Sequence, residues 1–261
     1  MRPPATSPTT TADTPVPDAA VATLIGLAIV GFVVGPSLHH VGVRAAVRAA
    51  FDGPLARCES CIRLRTVPGS PRCRHCSAPI RRREPLVWLL SSATFAAAGH
   101  VAAEGPLLAA HLLLAALTTV LVVTDLDAKL IPNRLLYPGT ALSALLLALG
   151  AVSVDRLPDL GRGVLAGLGY FGLLLVVALA SRGGFGMGDV KLAVVLGLFM
   201  GFWGWSVLAS GLFYTGMYGG IPALIMIVTR RAGRGDELPY GPAMVFGAWT
   251  ALVTGGGGLF S

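Results

Sequence analysis

The sequence predicts an all-α, polytopic membrane helix bundle of about eight transmembrane helices with a small cytosolic zinc-binding loop. Three observations lead there. Hydrophobic residues fill 54% of the 261 positions and charged residues only 13%, against about 25% charged in soluble domains, and the mean hydropathy is +0.72. Apolar runs close to the ~20 residues that cross a hydrocarbon core recur along the chain. The basic residues gather in alternate connections between those runs. These features exclude a disordered chain, an ordinary soluble domain and a polar nucleic-acid binder, so despite the net charge of +7 no nucleic acid is expected as a partner.

Residues 1–17 are rich in Pro, Thr and Ala and show no apolar period, so they read as a disordered tail. They do not read as a signal peptide, which needs basic residues directly before an apolar core. Candidate spans follow at 19–38, 86–103, 107–124, 135–154, 163–181, 192–209, 210–229 and 243–260. The pair 192–209 and 210–229 has almost no polar break, so seven spans or a hairpin shifted toward Gly204 or Gly211 stays open. In domain terms, 18–85 comprises the first helix and an arginine-rich loop, and 86–261 the membrane core. The loop 39–85 holds ten arginines, and Lys129, Arg134, Arg182, Lys191, Arg230, Arg231 and Arg234 fall on the same side. Only Arg2, Arg156 and Arg162 fall opposite. The positive-inside rule therefore puts loop 39–85 in the cytosol and both termini outside a multi-pass inner or cytoplasmic membrane protein.

All four cysteines lie in that loop, as Cys58-Glu-Ser-Cys61 and Cys73-Arg-His-Cys76. Two residues between thiolates let a tight turn aim both sulfurs at one ion, and two such knuckles complete a tetrahedral site. A reducing cytosol disfavours the alternative of stable disulfides. The expected cofactor is structural Zn²⁺ on Cys58, Cys61, Cys73 and Cys76.

The acidic residues beside spans carry the second signal. Asp125 follows the run Leu121-Val122-Val123-Thr124 and precedes Ile131-Pro132, while Asp189 closes Gly186-Met187-Gly188 and precedes Val190-Lys191. An ionisable group at membrane depth is costly unless it has a task, a partner or water. Two converging carboxylates can share a proton and hydrolyse an amide through one water. Gly183, Gly184, Gly186 and Gly188 allow a substrate strand to approach closely. Capping of the next helix by Asp189 is the plainer alternative. Lys129 and Lys191, the only lysines, read either as electrostatic tuners of the pair or as positive-inside anchors. His111 and Trp203 read as packing or hydrogen-bonding residues.

Taken together, these residues resemble the type IV prepilin peptidase family of GxGD-type membrane aspartyl peptidases. The resemblance rests on Asp125 before Ile131-Pro132-Asn133, on Gly186-Met187-Gly188-Asp189 before Val190-Lys191-Leu192, on the paired cysteine knuckles, and on Pro239-Tyr240-Gly241-Pro242 before the last span, and it covers roughly residues 22–255. It implies that Asp125 and Asp189 form the catalytic pair, that 86–261 is a membrane peptidase core, and that the substrates are prepilin or pseudopilin precursors cut on the cytosolic side after a glycine. It also implies N-methylation of the new N-terminus from S-adenosylmethionine, only where that second activity is retained. Gly35-Pro36-Ser37-Leu38-His39 stands where the family usually has Gly-Ser-Phe-Leu-Asn, and the segment between the knuckles is short. A non-enzymatic membrane assembly factor using the zinc loop, and an ion-coupled transporter using the acidic pair, are the rival expectations.

Overall fold

The computed structural model describes residues 18–49, 84–102, 105–128, 131–180, 186–222, 225, 229 and 240–255. The described residues are helical, with no strand among them. They form α1 (Asp18–Ala49), α2 (Glu84–Val101), α3 (Gly105–Ala128), α4 (Asn133–Ser153), α5 (Leu157–Ala180), α6 (Met187–Trp203), α7 (Trp205–Thr215) continued by a π-helical turn (Gly216–Gly220), and α8 (Gly241–Gly255). Each predicted apolar run carries a helix. Stretches Ala19–His39, Gly105–Leu126, Asn133–Ser153 and Leu157–Ala180 are long and apolar enough to cross a membrane. The remaining helices are shorter, α6 having 17 residues and α8 15. The chain is a helical, multi-pass membrane protein.

Three boundaries differ most from expectation. α1 does not stop at the end of its apolar run but continues to Ala49, because Val-Arg-Ala-Ala-Val-Arg-Ala is made mostly of good helix formers. At about 1.5 Å per residue, that extension carries the first ten or so residues of the predicted loop some 15 Å beyond the span. α5 starts at Leu157 rather than 163, where Arg156 N–H bonds to Ala151 O (2.8 Å) and Leu160 N–H to Arg156 O (3.2 Å). The break between the sixth and seventh runs falls at Gly204, whose φ of 156° and ψ of 160° lie in a region open essentially to glycine alone.

Burial orders the bundle from inside out. In α3, 67% of the apolar window is buried, against 17% in α1, 28% in α4 and 33% in α5. α6 is buried at almost every position from Leu192 to Phe202. Thus α3 and α6 form the interior, while Ile25, Ile29 and Val33 of α1, Leu142, Leu145 and Leu149 of α4, and Leu165, Leu168 and Val176 of α5 stay exposed. Stripes of that size are untenable in water and suit hydrocarbon.

Lipid gives little apolar drive for helices to associate, so small residues bring backbones together. Gly163 and Gly167 of α5 face Gly197 and Gly201 of α6. A Cβ on Gly167 would lie 2.7 Å from Val194 O, and one on Gly197 would lie 2.8 Å from Gly167 Cα. α1 and α2 use the same device: a Cβ on Gly31 would meet Ser91 O at 2.5 Å, and Ser92 Oγ donates to Ala28 O at 2.9 Å. α8 is tied to α3 by Trp249 Nε1, which donates to Thr118 Oγ1 at 3.2 Å.

Candidate active site

α3 and α6 run antiparallel. The beginning of α3 meets the end of α6 through His111 and Trp203, so the last turn of α3 lies level with the first turn of α6. Asp125 occupies that last turn. Its helix ends at Ala128, and Pro132, extended at φ −70° and ψ 119°, starts α4 by accepting from Leu136 N–H at 3.0 Å. Proline lacks an N–H and fixes φ, which makes it a start rather than an interior residue here. Asp189 lies in the first turn of α6, three residues after the extended Gly186, to whose carbonyl its own N–H bonds at 3.1 Å.

The two aspartates are 6% and 8% exposed. Both reach the start of α8: a Cβ on Gly241 would lie 2.8 Å from Asp125 Oδ2 and 3.4 Å from Asp189 Oδ1. The carboxyl oxygens are therefore no farther apart than those two distances end to end. Asp125 sits where helix carbonyls project and Asp189 where helix N–H groups project, so the paired groups have different backbone surroundings. Removing two like charges from water so close together is costly unless they share a proton.

The neighbouring glycines belong to the same corner. A Cβ on Gly186 would sit 3.1 Å from Asp189 Oδ2, and one on Gly188 would sit 2.9 Å from Ile131 Cβ, so the turn after α3 packs against the first turn of α6. Gly183, Gly184 and Lys129 lie outside the described residues. Lys191 is described, and its ammonium donates to Asn133 Oδ1 at 3.0 Å, 5.6 Å above the Tyr137 ring. It thereby ties α6 to the first turn of α4. Cys58, Cys61, Cys73 and Cys76 also lie outside the described residues.

Two residues join the site to which the sequence assigned no role. Gly241 has just been described. Tyr240 precedes it, accepts from Met244 N–H at 3.2 Å to open α8, and lays its ring where a Cβ on Gly219 of the π-helical turn would fall, 2.5 Å from Cε2. Burial, and then the charge of Asp189, raise the Tyr240 hydroxyl above its ordinary range. A tyrosine and a glycine before the proline that opens an apolar run were the available signal.

Two buried carboxyls, carried by separate helices to one end of a membrane bundle and flanked by glycine-rich backbone, define a carboxylate-pair site of the kind used in acid–base hydrolysis. A model of the type IV leader peptidase family matches residues 112–230, a segment that includes both aspartates. Among curated proteins, the chain is 27% identical over 242 residues to a prepilin leader peptidase/N-methyltransferase of Bacillus subtilis, an alignment covering 88% of this chain and 93% of that one. It is 32% identical over 189 residues to proteins of the same name from Aeromonas hydrophila and Pseudomonas aeruginosa, covering 70% of this chain but 62% of each of them. No solved structure gives a significant match. By these matches the chain is similar to the type IV leader peptidase family over the segment that carries both aspartates.

Proposed function

We propose that this chain is a membrane aspartyl endopeptidase that removes the leader peptide of type IV prepilins or pseudopilins at the cytosolic face of the membrane. The observation that supports this best is the approach of Asp125 and Asp189 to a common point at Gly241. In the proposed reaction the pair holds one proton. One carboxylate draws a proton from the attacking water while the other, protonated, donates to the scissile carbonyl oxygen, and the roles reverse as the amine leaves. The basic leader stays on the arginine-rich side and the apolar stretch of the precursor lies among the helices. Eight crossings with both termini outside fit the charge bias and the positions of the helices.

The matched curated relatives carry N-methyltransferase in their names, and methylation using S-adenosylmethionine accompanies cleavage here only if this chain keeps that activity. Four thiolates in two C-x2-C knuckles are a donor set suited to Zn²⁺, and Cys58, Cys61, Cys73 and Cys76 are proposed to hold one structural ion that orders the loop. Metal analysis of the purified chain and of a variant with Cys58 and Cys61 changed to serine would test this, with zinc expected in the former and lost from the latter.

Co-expression with pilin-like precursors, followed by mass measurement of the mature N-terminus, tests the principal proposal and reports any added methyl group. Cleavage by the parent chain and none by Asp189→Asn is the expected result. Cleavage at the parental rate by Asp189→Asn would refute it.

A further inference from the structure

We infer that Gly241 is a positioning residue for the carboxylate pair: the absence of a side chain there sets the separation and aim of Asp125 and Asp189. This rests on the peptidase function proposed above. The Cβ position of Gly241 is 2.8 Å from Asp125 Oδ2, 3.3 Å from Asp125 Cγ and 3.4 Å from Asp189 Oδ1. A carbon cannot stay 2.8 Å from a carboxylate oxygen, so any side chain forces one partner to move.

α8 cannot be the partner that moves without wider disruption. Farther along the helix, Gly247 abuts α7 so tightly that a Cβ there would lie 2.4 Å from Thr215 Oγ1 and 2.6 Å from Thr215 N. Trp249 holds α8 to α3, the helix that carries Asp125, through its bond to Thr118. Tyr240, at the helix start, is pressed against Gly219. With α8 held at three places, displacement falls on the Asp125 carboxyl, which a methyl group at 241 would push out of its place beside Asp189. A shift of about 1 Å in a reacting group can cost about 100-fold in rate.

No local demand explains this glycine. Gly241 is the first helical residue of α8, its φ is not among the positive values, and alanine is the better helix former. The three atoms nearest a Cβ at this position all belong to the two carboxyls.

The test compares Gly241→Ala with Gly247→Ala in the full chain, using cleavage kinetics on a pilin-like precursor and the yield of folded protein. The second variant places a more severe overlap on the same helix, against α7 backbone and away from the carboxyls. Gly241→Ala is expected to lower kcat by about 100-fold with KM changed by less than about threefold, since leader and apolar stretch bind elsewhere. Gly247→Ala is expected to lower yield while kcat per folded molecule is kept. Parental kcat in Gly241→Ala, or the same kcat loss in both variants, would overturn the inference.

A second measurement covers poor folding of either variant. Because a Cβ at 241 lies 3.3 Å from the place of Asp125 Cγ, a Gly241→Cys/Asp125→Cys pair has a separation compatible with a disulfide. Oxidation in membranes should form it, with the parent and its native cysteines as control, and failure to form it would also overturn the inference. A parent chain that cleaves no precursor while this bridge forms would count against the peptidase proposal instead, so the two failures are distinguishable.

Discussion

The two ends of α6 are built from opposite principles. At its C-terminal end, carbonyls that the helix leaves unpaired are taken up by Arg162, whose Nε donates to Gly201 O at 2.8 Å and whose terminal nitrogen donates to Phe202 O at 2.5 Å. Asp159 pairs with both Arg162 and Arg156, and Arg156 lies 4.7 Å above the rings of Phe202 and Trp203. Trp203 Nε1 donates to His111 Nε2 at 3.0 Å, and the other ring nitrogen lies 2.8 Å from Leu107 O. Indole only donates and a carbonyl only accepts, so His111 is the neutral Nδ1–H tautomer, with both nitrogens satisfied. At the N-terminal end, by contrast, an acidic side chain is set beside a second one, both so near Gly241 that a Cβ there would touch them. Charge that is neutralised, stacked and capped holds a structure together, whereas like charge gathered at a buried corner marks a candidate site for acid–base chemistry.

The largest expected effect tests the functional end. Asp125→Asn and Asp189→Asn each keep the shape of the side chain but remove its acid–base capacity, so precursor cleavage should fall by about 10³-fold or more with unchanged membrane insertion. Retained activity in either variant, measured by single-turnover cleavage, would erase the contrast between the ends.

Arg162→Ala should act on the other end alone. It removes charge-assisted bonds to two carbonyls and the pairing with Asp159, at a cost of about 2 kcal/mol, visible as a lowered Tm in detergent micelles. The kcat of the folded fraction should match the parent. Trp203→Phe is a subtler version: it withdraws the donor from a buried histidine nitrogen and should cost about 1 kcal/mol, again with no change in kcat. A loss of kcat in either variant would mean that the ends are coupled through α6.

Lys191→Met should have the smallest effect, a change in cleavage rate of less than about threefold, because its ammonium engages Asn133 and Tyr137. A loss comparable with that of the aspartate variants would instead assign the lysine to the carboxylate pair.

How much of this could be read in advance follows from the range of each signal. The eight apolar runs were legible because a helix crossing lipid must hide every backbone polar group within its own ~20 residues. Asp125 and Asp189 stood out because carboxylates beside apolar runs are rare in this chain. The end of α1 was misjudged because Arg and Ala propagate a helix as well outside a membrane as within it. The turn at Gly204 was one of two options, Gly211 being the other, and its positive φ of 156° belongs to the folded chain. That Gly163 and Gly167 pack on Gly197 and Gly201 could not be read from the sequence, because nothing local marks which small residues meet across helices.

The amino-acid order alone therefore determined that the chain enters a bilayer, roughly where its helices run, and which acids are out of place in them. All of these depend on properties of single segments: length, hydropathy and local charge. Tertiary structure alone decided that Asp125 and Asp189 share a corner, that Gly241 abuts both, and that Arg162 closes the far end of α6. Those relations join residues 39 to 116 positions apart, and no local propensity encodes a distance across neighbouring helices; only the packing of small residues between helix backbones fixes it.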